Sequence, residues 1–100
     1  MERNVIKIYD FTKEFAVEAK VGERINEQIK NILKKDSFVC LDFSNVKIVL
    51  TAFLKEVIGS YIEDLSEEEF AEKIRIINLP EYSNKTMEKI FDVFKKSCRL

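Results

Sequence analysis

The sequence has no histidine and no tryptophan, and only two glycines, one proline and two cysteines among 100 residues. The missing histidine removes every His-based catalytic triad, every imidazole metal ligand and the usual proton shuttle of neutral pH. Few glycines and prolines leave the turns to Asn, Asp and Ser, and favour long helices over a fold of many tight turns. Cys40 and Cys98 have no CxxC spacing and form no disulfide framework, which points to an intracellular protein. Neither has the surroundings of a nucleophile. A formal charge of -1, from 17 basic and 18 acidic side chains, supplies no positive field for nucleic acid or an anionic membrane. The longest apolar stretch, Ile48 to Leu54, is broken by Thr51 and is too short to cross a bilayer. Met1 to Asp10 lacks the apolar run of a signal peptide, so a cytoplasmic protein is expected.

The length suits one domain spanning 1–100. Val5 to Tyr9 alternates like a half-buried strand, with Ile6 and Ile8 on one side. Phe11 and Phe15 are expected to tuck under a loop or a short helical turn. From Val21 the spacing turns helical, with Val21, Ile25, Ile29, Ile32 and Leu33 in one stripe, ended by Asp36 and Ser37. Phe38 to Phe43 reads as a strand apolar on both faces, hence central and parallel, broken by Ser44 and Asn45. Val46 to Leu50 is extended or irregular. A second helix opens at Thr51 and runs to about Leu65, with Thr51 as its simplest N-cap. Ser66 and Glu69 have capping-box spacing. Ile74, Ile76 and Ile77 form a third strand, ended by Asn78-Leu79-Pro80. A last helix is expected from about Asn84 to Ser97, with Met87, Ile90, Phe91, Phe94 and Cys98 in its stripe. This β-α-β-α-β-α order predicts an α/β fold with a central, mostly parallel β-sheet packed with helices; an antiparallel first strand at an edge stays open.

One segment carries more. Leu41-Asp42-Phe43-Ser44-Asn45-Val46 ends a strand in a polar break, and Thr51-Ala52-Phe53-Leu54 then opens a helix. This segment resembles the signature of the STAS domain, the fold of bacterial anti-sigma-factor antagonists, and lies along it without a gap from Leu41 to Gly59. It is closer still to the small bacterial STAS-like domains, whose helix opens with Thr or Ser, a small residue, Phe, two variable residues and Glu, as Thr51, Ala52, Phe53 and Glu56 do here. The pattern is broken where the antagonists are phosphorylated. The phosphoacceptor serine falls on Ala52, the preceding acidic position on Leu50, and the following glycine on Phe53. The resemblance implies a non-enzymatic regulatory domain that binds a protein partner, an ATP-binding serine-kinase-like protein, and lacks the usual switch.

The helix can also be read from its own periodicity. At 100° per residue, Phe53, Leu54, Val57, Ile58, Tyr61, Ile62 and Leu65 share one half, while Ala52, Glu56, Gly59 and Glu63 gather on the other. Small residues admit a neighbouring backbone and carboxylates pair with a basic partner. With Thr51, this strip is the expected partner-binding surface. Thr51 is also the one hydroxyl that could take a phosphate in place of the missing serine, helped by the helix dipole.

Two further readings stay open. One is a small-molecule or nucleotide sensor using Asp42, Ser44 and Thr51 as an anion seat at the strand end and helix start. The other is a homodimeric scaffold paired through the first strand or last helix. Glu67 to Glu69 reads as a solvated helix start, and no phosphate loop or metal-ligand spacing occurs, so neither cofactor nor metal is expected.

Overall fold

The computed structural model describes residues 4–80, and the expected last helix from Asn84 to Ser97 lies outside them. Among the described residues the main sheet has three strands, β1 (Val5–Lys7), β3 (Val39–Asp42) and β5 (Ile74–Ile77), in the order β1-β3-β5. Both pairings are parallel. Val5, Ile6 and Lys7 lie beside Cys40, Leu41 and Asp42, and Val39 to Asp42 lie beside Ile74 to Ile77. The central parallel strand is therefore the expected one. Among the described residues the first strand lies at an edge and is parallel, because a helix-bearing crossover separates it from β3.

Each crossover contains a short extra strand. After β1 come a short helix α1 (Ile8–Thr12), β2 (Phe15–Ala16) and the long helix α2 (Ala19–Lys35). After β3 come β4 (Ile48–Val49), α3 (Thr51–Asp64) and α4 (Glu67–Lys73). β2 and β4 pair in parallel as a second, two-stranded sheet, with Phe15 beside Ile48 and Ala16 beside Val49. The segment from Val46 to Leu50, expected to be extended or irregular, is thus ordered by a partner 33 residues earlier.

The first strand is shorter than the alternation implied. The helix takes over at Ile8, which is fully buried, and α1 ends at Lys13 with φ 59°, where the Lys13 N–H donates to the Tyr9 carbonyl at 2.8 Å. Phe11 and Phe15 do not tuck in. They are 39% and 52% exposed.

α2 and α3 form the layer over the main sheet. Ile25 and Ile29 from α2, Val39 and Leu41 from β3, and Phe53, Leu54, Val57 and Ile58 from α3 are wholly buried in one cluster. Removing side chains of this size from water supplies roughly 1.5–3 kcal/mol each, the dominant favourable contribution to folding. The two faces of β3 differ in burial. Val39 and Leu41 are buried while Cys40 and Asp42 are half-buried, so burial alternates along this central strand. On the other face the Arg75 guanidinium lies 4.2 Å from the Phe38 ring centre.

α2 and α3 run in the same direction, since Gly22 meets Phe53 and Glu56 while Asn26 meets Val57 and Ser60. A Cβ on Gly22 would stand 2.8 Å from the Phe53 carbonyl oxygen and 2.9 Å from the Glu56 Cβ. Only a residue without a side chain permits that approach. Asn26 Nδ2 donates to the Val57 carbonyl at 2.9 Å and the Tyr61 hydroxyl to the Asn26 carbonyl at 3.2 Å, tying the pair together a turn further on. α4 opens with the expected capping box. Ser66 Oγ accepts from the Glu69 N–H and the Glu69 carboxylate accepts from the Ser66 N–H, both at 3.1 Å.

Candidate functional site

Parallel β2 and β4 deliver α2 and α3 to the same end of the molecule, so the two helices begin side by side. α3 begins one residue after Val49 is released. Its N-cap is Leu50, in extended conformation, and Thr51 is the first helical residue. Among the described residues no side chain caps the terminus. The expected Thr51 cap is thus corrected: the chain is still paired as strand at Leu50, whose N–H donates to the Ala16 carbonyl at 3.0 Å, which leaves Thr51 already inside the helix. α2 likewise starts without a side-chain cap after Glu18.

The strip expected on α3 is exposed at Thr51, Ala52, Glu56 and Glu63. Gly59 is not part of it. That residue is buried, so the strip is interrupted at its third position and the continuous small-acidic pattern of the wheel does not reach solvent. What the wheel missed lies just before the helix. Phe15, Val17, Ile48 and Leu50 are 52%, 37%, 39% and 47% exposed. Ala16 and Val49, their neighbours on the two strands, are buried at 0% and 3%. Alternation along a strand puts residues two apart on one face, so the four exposed side chains form one outer face of the β2–β4 ribbon, directly continued by Thr51 and Ala52. An apolar run that stays apolar on both faces of a two-stranded ribbon is the signal that was available in the sequence. It became readable only once β2 was known to pair with β4. A Lys47–Glu14 ion pair at 3.0 Å closes the far end of the ribbon.

Beyond Ala52 a groove of about 390 Å³ runs between α2 and α3, lined by Glu23, Asn26, Glu27, Lys30, Lys55, Glu56 and Ser60. The close approach at Gly22 draws Glu56 to the acidic side of α2. Tyr61, below this groove, has its phenol pushed above the usual value by burial and by the Glu27 carboxylate.

The second expected cluster is at the C-terminal end of the main sheet. Asp42 Oδ1 accepts three hydrogen bonds, from the Ser44 hydroxyl at 2.6 Å, the Ser44 N–H at 2.9 Å and Asn78 Nδ2 at 3.0 Å. Asn78 Nδ2 also reaches Ser44 Oγ at 2.9 Å. The Asn78 and Ser44 side-chain bonds hold the Asp42 carboxyl below the usual carboxylate value. Asn45 and Asn78 take positive φ, 69° and 58°, which turns the chain at the ends of β3 and β5. A cleft of about 280 Å³ beside the cluster is lined by Lys7, Tyr9, Asp10, Asp42, Ser44 and Asn45. Thr51 does not line it, so the expected seat of Asp42, Ser44 and Thr51 is divided. Two of its members join a turn, and the third opens α3.

A family model described as STAS-like domain of unknown function (DUF4325) matches residues 21–84, which is more than half of the chain. The chain belongs to this family. No curated protein and no solved structure matches it significantly. The STAS-like match takes in most of α2, β3, β4, all of α3 and α4, and β5, so both sides of the α2–α3 groove fall within it. Of the apolar ribbon face, Ile48 and Leu50 lie inside the STAS-like match while Phe15 and Val17 precede it. Among the described residues of this STAS-like chain, no helix is long and apolar enough to cross a membrane.

Proposed function

We propose that this STAS-like chain is a non-enzymatic regulatory domain of the bacterial cytoplasm that acts by binding another protein at the start of α3. The observation that carries the reading is the apolar outer face Phe15, Val17, Ile48 and Leu50, continuous with exposed Thr51 and Ala52. Exposed apolar residues scattered singly need no explanation, but a contiguous patch marks an interaction site. The docking surface comprises Thr51, Ala52 and Glu56, with Glu63 further along the helix; Gly59, being buried, contributes by packing only. The partner class is the one the resemblance implies, an ATP-binding serine-kinase-like protein. Ala52 has no hydroxyl to phosphorylate, so association here is not governed by modification at the usual position.

The test is titration calorimetry against such a kinase-like protein encoded beside this chain. Ala52→Arg and Glu56→Lys lie on exposed helix positions and should each weaken the complex by about tenfold or more without lowering the thermal midpoint. Unchanged affinity in both variants refutes the surface.

Nucleotide sensing at the Asp42 cleft is the weaker reading. The Asp42 carboxylate is satisfied by Ser44 and Asn78, and it repels a phosphate brought to the same seat. A thermal-shift screen with nucleotides checks this, since a true ligand raises apparent stability.

A further inference from the structure

We infer that the partner presents a basic amphipathic segment, with bulky apolar side chains laid on the β2–β4 ribbon and Lys or Arg side chains placed in the groove between α2 and α3. This rests on the protein-binding reading and gives the occupant a chemistry. The ribbon face sets the first half. Phe15, Val17, Ile48 and Leu50 are each more than a third exposed and share one face, while the residues between them are sealed in the core. Burying such a face requires apolar groups opposite it.

The groove sets the second half by its charge. Glu23 and Glu27 are one helical turn apart on α2, and the Gly22 approach brings Glu56 of α3 to the same groove. Lys30 and Lys55 also line it, leaving the carboxylates in excess by three to two. Because the helices run in the same direction, Glu23, Glu56 and Lys55 are at the end nearer the ribbon, two carboxylates to one ammonium, and Lys30 is beyond Glu27. At a rise of about 1.5 Å per residue, Glu56 stands about 9 Å along the α3 axis from Leu50. That span is under two turns of a helix laid alongside, so one amphipathic segment reaches both surfaces. A positive charge on the partner is favoured at the near end, and a negative one is repelled there.

The experiment uses the purified full chain and three short synthetic helical peptides: Leu/Arg amphipathic, Leu/Glu amphipathic, and Ser/Arg with the same positive charge but no apolar face. Binding is read by fluorescence anisotropy and the contact surface by amide chemical shifts. The Leu/Arg peptide should bind at least about tenfold tighter than either other peptide. Its affinity should fall about tenfold in Ile48→Asn/Leu50→Ser and again in Glu23→Gln/Glu56→Gln, with a shallower salt dependence only in the latter. Thermal midpoints of both variants should stay at the wild-type value, since all four positions are exposed. Equal binding of the Leu/Glu peptide overturns the inference, as does Leu/Arg binding that ignores the ribbon substitutions. Sedimentation showing a dimer that Leu50→Ser disperses also overturns it, by giving the face to a second copy. If the inference fails while the kinase-like protein still binds and Ala52→Arg still weakens that complex, the wider reading stands without it.

Discussion

Gly22→Ala sets two opposing effects against each other within one helix. In an exposed helix interior the change stabilises by about 1 kcal/mol, because alanine loses less backbone entropy on folding. At Gly22 the added methyl carbon stands 2.8 Å from the Phe53 carbonyl oxygen and 2.9 Å from the Glu56 Cβ. Both neighbours belong to the α3 backbone or are attached directly to it, so neither can swing aside as the tip of a flexible side chain could. The helices must separate, and the buried contacts of Ile25 with α3 loosen with them. Overpacking of this kind costs typically about 1–3 kcal/mol, to which the lost helix contacts add. The net expectation is a destabilisation of about 1–2 kcal/mol despite the better helix former. For a domain of this size that is a drop in Tm of about 4–16 °C. Urea melts of the wild type and Gly22→Ala measure it, with exposed Gln28→Ala on the same helix as the control for propensity alone. A Gly22→Ala protein as stable as the wild type, or more so, refutes the claim that the close approach positions Glu56.

Thr51→Ala should change stability by less than about 0.5 kcal/mol, since Leu50 holds the N-cap position and no side chain caps α3; urea melts showing a loss near 1 kcal/mol would restore the capping role. Ser66→Ala removes a real capping box and should cost about 1 kcal/mol in the same assay. Asn26→Ala leaves the Val57 carbonyl without its 2.9 Å side-chain donor and should destabilise by about 1 kcal/mol, with amide exchange rising on α2 and α3 before the sheet. The Asp42 carboxyl is held below its ordinary value, so its contribution is fully present above the unfolded-state pKa and is lost as pH falls through the folded value. The stability gap between wild type and Asp42→Ala should therefore be constant near neutrality and shrink in acid below about pH 4, and a gap that widened there would contradict the assigned hydrogen bonds.

The sequence disclosed the main sheet and the long helices because their signals are local. The stripe of Ile25 and Ile29, the apolar run of Val39 to Leu41 and the Ser66-to-Glu69 spacing each declare an element without reference to the rest of the chain. What stayed hidden depended on distant partners. Two-residue strands such as Phe15–Ala16 and Ile48–Val49 have no periodicity of their own and exist because they pair. Gly59 looked like part of an exposed strip because a helical wheel reports only angle, and the packing around the helix decides how wide the buried arc is. The Asp42 turn shows the same limit. Asn78 is 36 residues away, and nothing near Asp42 announces that it will complete the cluster.

The departures from the antagonist signature and the apolar ribbon are one feature. The position that aligns with an acidic residue is Leu50, and Leu50 is the last outward side chain of the ribbon, 47% exposed. The position that aligns with the phosphoacceptor is Ala52, two residues on and also exposed. An acid and a serine at these places make a polar helix start whose affinity for a partner can be changed by adding charge. Leucine and alanine extend the apolar face across the same ground and leave no hydroxyl in its centre. Thr51 keeps a hydroxyl at the rim, yet a phosphate there would set a dianion beside apolar Leu50, so it would oppose docking by an apolar surface. Under the proposed protein-binding function, recognition at this face is steady, and control over it falls to the partner or to Thr51 acting as an off switch. If the proposed binding holds, Leu50→Asp/Ala52→Ser should weaken it in titration calorimetry against the kinase-like protein, and unchanged affinity would refute the link between the ribbon and the helix start.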